Sequence, residues 1–305
     1  MVKRHQYQRP GRQFIEQSPP LDRIADFSEY LDRYAHFLRE ESGVGHCPPI
    51  DLDKICKHFG ITFAECPLDP DTEGASSEAI GWIGVNSQVR ARTRKRFTVA
   101  HELVELLVAV LRDSPIADSI RFQLEGSEKE ALCNSGAASL LIPPSSLQVN
   151  GQNPACSATS IRSLARRYQT SFLATTISVV RHSPDRAALV AWKRMRKPTE
   201  ERKLNGGAQL SLGQGFEIEF EPKLRIRWTI RSHAAGVPFL PVYKSAAENS
   251  VIHQCLREQR DFLGSSVVDP DLKLGPDCTI DAIHQHPESE FEVLTLLRWP
   301  KVPSS

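Results

Sequence analysis

The sequence has neither a disulfide framework nor a cysteine zinc site: its seven cysteines (Cys47, Cys56, Cys66, Cys133, Cys156, Cys255 and Cys278) are odd in number and no two form a CxxC pair. Reduced thiols in a cytosol fit that usage. No apolar run approaches the length needed to span a bilayer, and the basic N-terminus, MVKRHQYQRPGRQF, lacks the apolar core of a signal peptide. A cytoplasmic protein without membrane contact is expected. Net charge is scarce as well: 38 Lys and Arg stand against 37 Asp and Glu, a formal +1, too little to coat nucleic acid by bulk electrostatics. Internal repeats and long low-complexity segments are also missing. What is present is a chain of 305 residues, 40% hydrophobic and 25% charged, an ordinary globular composition with length for two or three cores.

The pattern along the chain suggests an α+β protein: a mostly helical core with a small sheet, a helical region, and a C-terminal α+β part. Residues 1–20 contain Arg, Gln, Gly and Pro with little apolar content and read as a flexible basic tail. Within 21–150, Ile24, Phe27, Leu31, Tyr34 and Leu38 recur at helical spacing, and Gly43 stands where a helix end favours positive φ. Asp51 caps a short helix that stops at Gly60, and 61–63 and 80–86 read as strands. A longer helix is expected from about residue 93 to 111, and another from about 127 to 141, ended by Pro143 and Pro144. Residues 151–197 suggest a helix-turn-helix-like pair and 198–207 a linker. From 208 to 305 the period changes to two, with Phe216, Ile218 and Phe220, then Leu224, Ile226, Trp228 and Ile230. An amphipathic helix near 246–262 and a closing strand, FEVLTLLRW, follow.

The chemistry concentrates in FTVAHELVELLVAVL. His101 and Glu105 are four residues apart, so a helix sets them on one face, able to hold a single metal ion with Glu102 beside it. In the zincin pattern HExxH two histidines bind zinc and the glutamate takes a proton from the attacking water. Here Glu105 stands in place of the second histidine. An isolated histidine in an apolar helix is ordinarily a core residue, and Glu130, following Glu128 and Lys129, would ordinarily belong to a solvated face.

Three ordered segments set these residues in a wider pattern. PPIDLDKICKHFGI and IGWIGVNSQVRARTRKRFTVAHEL precede the helix core, and EKEALCNSGAASLLIPP follows it. Over roughly residues 25–185 the sequence resembles the ImmA/IrrE family of metallo-endopeptidases. The resemblance implies a zincin-like fold, His101 and Glu130 as metal ligands and Glu102 as general base. Glu105 occupies the position of the family's second histidine, and its ligand role is inferred from chemistry: glutamate oxygen is an accepted zinc ligand. One imidazole with two carboxylates also weakens the preference for zinc over manganese or iron.

The function implied is a metal-dependent, site-specific endopeptidase whose protein substrate is a helix-turn-helix repressor, controlling stress or mobile-element genes. The C-terminal part resembles a GAF-like sensor domain, to which a small ligand is assigned. The Glu105 replacement keeps open a degenerate pseudoprotease that acts by binding, for example to an antitoxin in a toxin-antitoxin pair. A third alternative, a DNA-binding regulator, rests on SLARRYQTSFLATTISVV with Arg166 and Arg167 before the turn. That turn lacks a glycine and the charge cluster is small, so direct DNA binding is not expected.

Overall fold

The computed structural model describes residues 6–18, 27–114, 123–147, 154–205, 220–265 and, apart from 273, 276 and 288, 272–300. The chain is mixed α+β and divides into two units, Met1–Gln152 with Arg162–Ser178, and Asn153–Ile161 with Val179–Ser305. No helix among the described residues is long and apolar enough to cross a membrane.

The first unit is built around a central helix. Its elements begin with helices α1 (Pro10–Gln17), α2 (Phe27–Glu41) and α3 (Leu52–His58), followed by strands β1 (Thr62–Cys66), β2 (Gly74–Ser77) and β3 (Trp82–Asn86). Helices α4 (Arg92–Arg112) and α5 (Gly126–Leu141) follow. From Val99 to Leu111 the α4 side chains are buried on nearly every face, as expected of a helix surrounded by others. Leu31, Tyr34 and Leu38 of α2 are buried with it, and the Tyr34 hydroxyl donates to the Leu103 carbonyl at 3.3 Å. Full burial of each such Leu contributes about 1.5–3 kcal/mol. Buried Arg39 donates to the carbonyls of Ser139 (2.9 Å) and Leu140 (3.3 Å), so a cation satisfies the C-terminal end of α5 before Pro143 and Pro144.

Residues 10–17 are helical, which corrects the reading of 1–20 as a flexible tail. One aromatic side chain accounts for the difference. Phe14 is buried with its ring 4.9 Å from Tyr30, 5.1 Å from Tyr34 and 5.5 Å from Phe37, and Pro10 at the first turn is preorganised to start a helix. Strand β2 was not expected from its sequence, GASS. It pairs antiparallel with β3 while β1 pairs parallel on the other side, giving the order β1-β3-β2. Asp51 accepts from the Lys54 N–H at 2.9 Å, capping α3 as its position suggests.

Helices α6 (Ala158–Tyr168) and α7 (Phe172–His182) contribute residues to both units. At their turn Gln169 takes φ 53 where a glycine would be usual. The second unit carries a five-stranded antiparallel sheet of β4 (Ala187–Met195), β5 (Lys223–Arg231), β6 (Phe262–Ser265), β7 (Thr279–His284) and β8 (Val293–Arg298) in the order β5-β4-β8-β7-β6. Its first strand lies upstream of the start at 208 expected for the C-terminal part. Six of the nine residues of that strand, β4, are buried, and the charged Lys193 and Arg194 near its end hid the pattern. Residues 198–205, expected as linker, form helix α8, whose Glu200 pairs with Arg225 of β5 at 3.1 Å. The expected strand positions Phe216 and Ile218 lie outside the described residues. Helix α9 (Val251–Glu258) buries Val251, Ile252 and Cys255 against the sheet. Asp281 accepts from the N–H groups of Ala158 (2.8 Å) and Gly264 (2.7 Å) and from Arg298 (2.8 Å), so its buried charge is fully paired.

Candidate metal centre

Two helices and one edge strand of the first unit assemble the site. Helix α4 presents His101, Glu102 and Glu105, and α5 presents Lys129, Glu130, Cys133 and Asn134. The i, i+4 spacing of Glu130 and Asn134 sets both on the α5 face that meets His101. His101 Nδ1 lies 3.0 Å from Asn134 Oδ1; with an oxygen as its partner, Nδ1 carries a proton, and the contact turns Nε2 towards the site. Nε2 in turn is 3.6 Å from Glu105 Oε2 and 3.5 Å from Glu130 Oε2.

These separations fit a metal ion. Tetrahedral coordination at about 2.0–2.1 Å sets neighbouring ligand atoms about 3.4 Å apart. Of the three ligands expected from the sequence, His101 thus has an oxygen of Glu105 and one of Glu130 within 3.6 Å, whereas Glu130 is not in the cluster whose ligand atoms all lie within 4.8 Å of one another. Cys133 Sγ also lies in a cluster with the ligand atoms of His101 and Glu105, all within 4.8 Å of one another. Burial pushes its thiol up to about 12, so it is present as a protonated, small buried side chain.

Glu102 faces the opposite edge of the site, towards β2, and is only 5% exposed. Burial raises its pKa above the ordinary carboxylate value, the Ser76 hydrogen bond acts in the opposite direction, and the nearby Glu105 charge adds to the rise. Gly74 of β2 lies directly against it: a Cβ there would be 2.7 Å from Glu102 Oε1. Asn86, at the end of β3, donates to the carbonyls of Asp69 (3.1 Å) and Thr72 (2.8 Å) and so ties down the loop leading into β2. Between β2, α4 and α5 lies a cavity of about 780 Å³, with Glu73, Ser76, His101, Glu105 and Glu130 in its walls. It is polar and open beside His101, Glu105 and Glu130.

Glu105 is held from two sides, by His101 and by Lys129. Its pKa is depressed to about 2, first by the hydrogen bond to His101, against the effect of burial, and then by Lys129. Lys129 Nζ is 2.5 Å from Glu105 Oε1 and 3.2 Å from Glu130 Oε1. Sequence reasoning missed Lys129, Asn134, Gly74 and Ser76. Only Asn134 had a usable signal, its four-residue spacing from Glu130 on one helix.

A second constellation, His36, Glu40 and His46, lies on the surface of the same unit. His46 Nε2 is 3.3 Å from Glu40 and its Nδ1 is 3.3 Å from the Ser145 hydroxyl. These contacts tie the turn after α2 to the segment following α5. At the α6–α7 pair, Arg166 and Arg167 are exposed, while Tyr168 is buried and donates to the Ser146 carbonyl at 2.8 Å.

Comparison with known proteins places residues 56–177 in a match to the IrrE N-terminal-like domain of the family Peptidase_M78. A segment of 88 residues is 39% identical to the radiation response metalloprotease IrrE of Deinococcus deserti, covering 28% of this chain and 30% of that protein. The chain thus matches under a third of that relative's length. Among solved structures, a Mycobacterium tuberculosis transcriptional regulator superposes with a TM-score of 0.47 at 14% identity, over 95% of this chain and 80% of that one.

Proposed function

We propose, from the match of residues 56–177 to the IrrE N-terminal-like domain of the Peptidase_M78 family, that the chain is a metal-dependent endopeptidase acting on a specific protein. One observation carries this reading: His101 Nε2 faces one oxygen each of Glu105 and Glu130 at 3.6 and 3.5 Å, with buried Glu102 one residue away. His101, Glu105 and Glu130 would hold the ion. Zinc is the first choice, and two carboxylate oxygens also suit manganese or iron. When bound, a divalent ion supplies Lewis-acid polarisation of a carbonyl and activation of water.

The chain's own residues do the rest. Asn134 fixes the His101 ring with Nε2 towards the site. Glu102, buried and with raised proton affinity, accepts a proton from the attacking water and returns it to the leaving amine. Strand β2 ends its sheet among the described residues, and its backbone borders the cavity. An extended substrate segment can pair with that edge and lie across the metal face, the mode in which main-chain hydrogen bonds supply affinity. We further propose that the substrate is a helix-turn-helix repressor, as the resemblance in sequence suggests.

The test is Glu102→Gln. Elemental analysis of wild type and variant, each purified without a chelator or histidine tag, should find the same stoichiometric divalent ion in both. Incubated with a small helix-turn-helix protein encoded beside this gene, wild type should cleave it and the variant should not. Equal cleavage by both would remove Glu102 from the mechanism. A second reading is favoured by Lys129, whose ammonium contacts both carboxylates of the site: a degenerate protease that binds its partner without cutting it. In that case wild type leaves the partner intact and Glu102→Gln binds it as tightly as wild type does.

A further inference from the structure

Lys129 makes sense of the glutamate that stands where the HExxH pattern has a histidine. In that pattern two neutral imidazoles and one carboxylate give the ligand set a single negative charge. Here one imidazole and two carboxylates give it two. Lys129 returns the total to one. Its placement is specific: Glu105 and Glu130 each turn Oε1 to Lys129 Nζ, at 2.5 and 3.2 Å, and Oε2 to His101 Nε2, at 3.6 and 3.5 Å. The Lys129 side chain is only 15% exposed, so it does not belong to a solvated helix face, where lysines ordinarily lie.

We infer that Lys129 is a positioning residue that compensates the charge of Glu105 and aims the two carboxylates at the metal position, so that Glu105 and Lys129 work as a pair. The inference rests on the metal-site reading given above. It carries an unexpected consequence: Glu105→His, which completes HExxH, should damage the site while Lys129 remains. The ammonium would keep one carboxylate instead of two and would face an added imidazole at close range. Removing the ammonium should then help the Glu105→His variant, although it harms the wild-type arrangement. Ion pairs with both partners withdrawn from water show this dependence on keeping or losing both members together.

The experiment is a double-mutant cycle of Glu105→His and Lys129→Met, with Lys129→Arg as the charge-conserving control. Two quantities are read on the full chain: urea midpoint of the metal-free protein, and zinc affinity by competition with a chelator. Lys129→Met should lower the midpoint in the wild-type background and raise it in the Glu105→His background. It should also weaken zinc affinity in the wild-type background and improve it in the Glu105→His background, the two effects differing at least tenfold. Lys129→Arg should bind zinc within a few-fold of wild type. Equal effects of Lys129→Met in both backgrounds, with wild type holding zinc, would overturn the pairing and leave the metalloprotease reading standing. If no variant and no wild-type protein holds zinc, manganese or iron stoichiometrically, both fall together. If only variants lacking Lys129 hold metal, the ammonium blocks the site and the inference is wrong.

Discussion

Gly74→Ala adds one methyl group at a crowded point beside the candidate metal centre. The new Cβ would stand 2.4 Å from Thr98 Cγ2, 2.7 Å from Glu102 Oε1 and 3.2 Å from Glu102 Cδ. Gly74 is not among the positive-φ glycines, so the backbone itself accepts alanine. The effect is therefore steric. Thr98 cannot easily turn its methyl aside, because its hydroxyl donates to the Arg94 carbonyl at 3.1 Å and β-branched side chains in helices have few rotamers. Overpacking of this kind costs about 1–3 kcal/mol, and the smaller entropy of an unfolded alanine returns about 0.4–1 kcal/mol. A net loss of about 1–2 kcal/mol follows, or a urea midpoint lowered by roughly 0.5–1 M at a slope of about 2 kcal/mol/M. Thr98→Ser removes the methyl in the closest contact and leaves the contact with Glu102. Combined with Gly74→Ala, it should recover at least half of the lost stability while substrate cleavage stays impaired. Metal content should be unchanged throughout, since Glu102 is not assigned as a ligand. A Gly74→Ala protein as stable as wild type would refute the packing of β2 on α4 on which this reasoning depends.

Asn134→Leu removes the hydrogen-bond partner of His101 Nδ1 and frees the ring to rotate or change tautomer. Loss of such a support lowers metal affinity by about 10–100-fold, and zinc competition showing less than a threefold change would reject the role assigned to Asn134. The buried thiols predict a pH dependence. Cys56 and Cys255 are pushed by burial, and then by Asp53 and Asp261 respectively, from 9.0 up to about 12. Above the ordinary thiol value the unfolded chain loses protons that the folded chain keeps, so these groups lower stability as pH rises from about 9 towards 12. Alkylation at about pH 9 should accordingly modify exposed Cys47 and leave Cys56 and Cys255 untouched until denaturant is added. Modification of all three at one rate would contradict the burial.

What could be read in the sequence was local. The α4 helix followed from an unbroken apolar-rich run carrying His101 and Glu105 four residues apart, and the start of α3 followed from the capping Asp51. Positions three or four apart on a helix are neighbours whatever surrounds them. Strand β2 could not be read this way. GASS has no β-branched residue and no alternation, and it is a strand because β3 offers it a backbone edge. Phe14 was likewise too small a signal in a polar segment, although three aromatic neighbours hold it in place. Lys129 was hidden by its own surroundings in the sequence. Beside Glu128 and Glu130 it looks like part of a solvated charge run, and its partner Glu105 lies 24 positions away on another helix.

The same contacts divide three glutamates among different tasks. Glu102 sits between α4 and β2, where burial outweighs the Ser76 hydrogen bond and favours its protonated form. Glu105, one helical turn further on, meets His101 and Lys129 and stays ionised far below neutral pH. Glu130 shares that lysine but is the most exposed of the three at the cavity wall. Carboxylates whose surroundings drive their proton affinities apart are suited to separate roles, one moving a proton and the others holding charge. A HELVE sequence and a glutamate 25 positions beyond it leave all three carboxylates equivalent on paper, and only the approach of α5 and β2 to α4 distinguishes them. The replacement of a histidine by Glu105 is thus insufficient ground for treating the site as degenerate, because the neighbouring helix supplies a cation where the added anion stands.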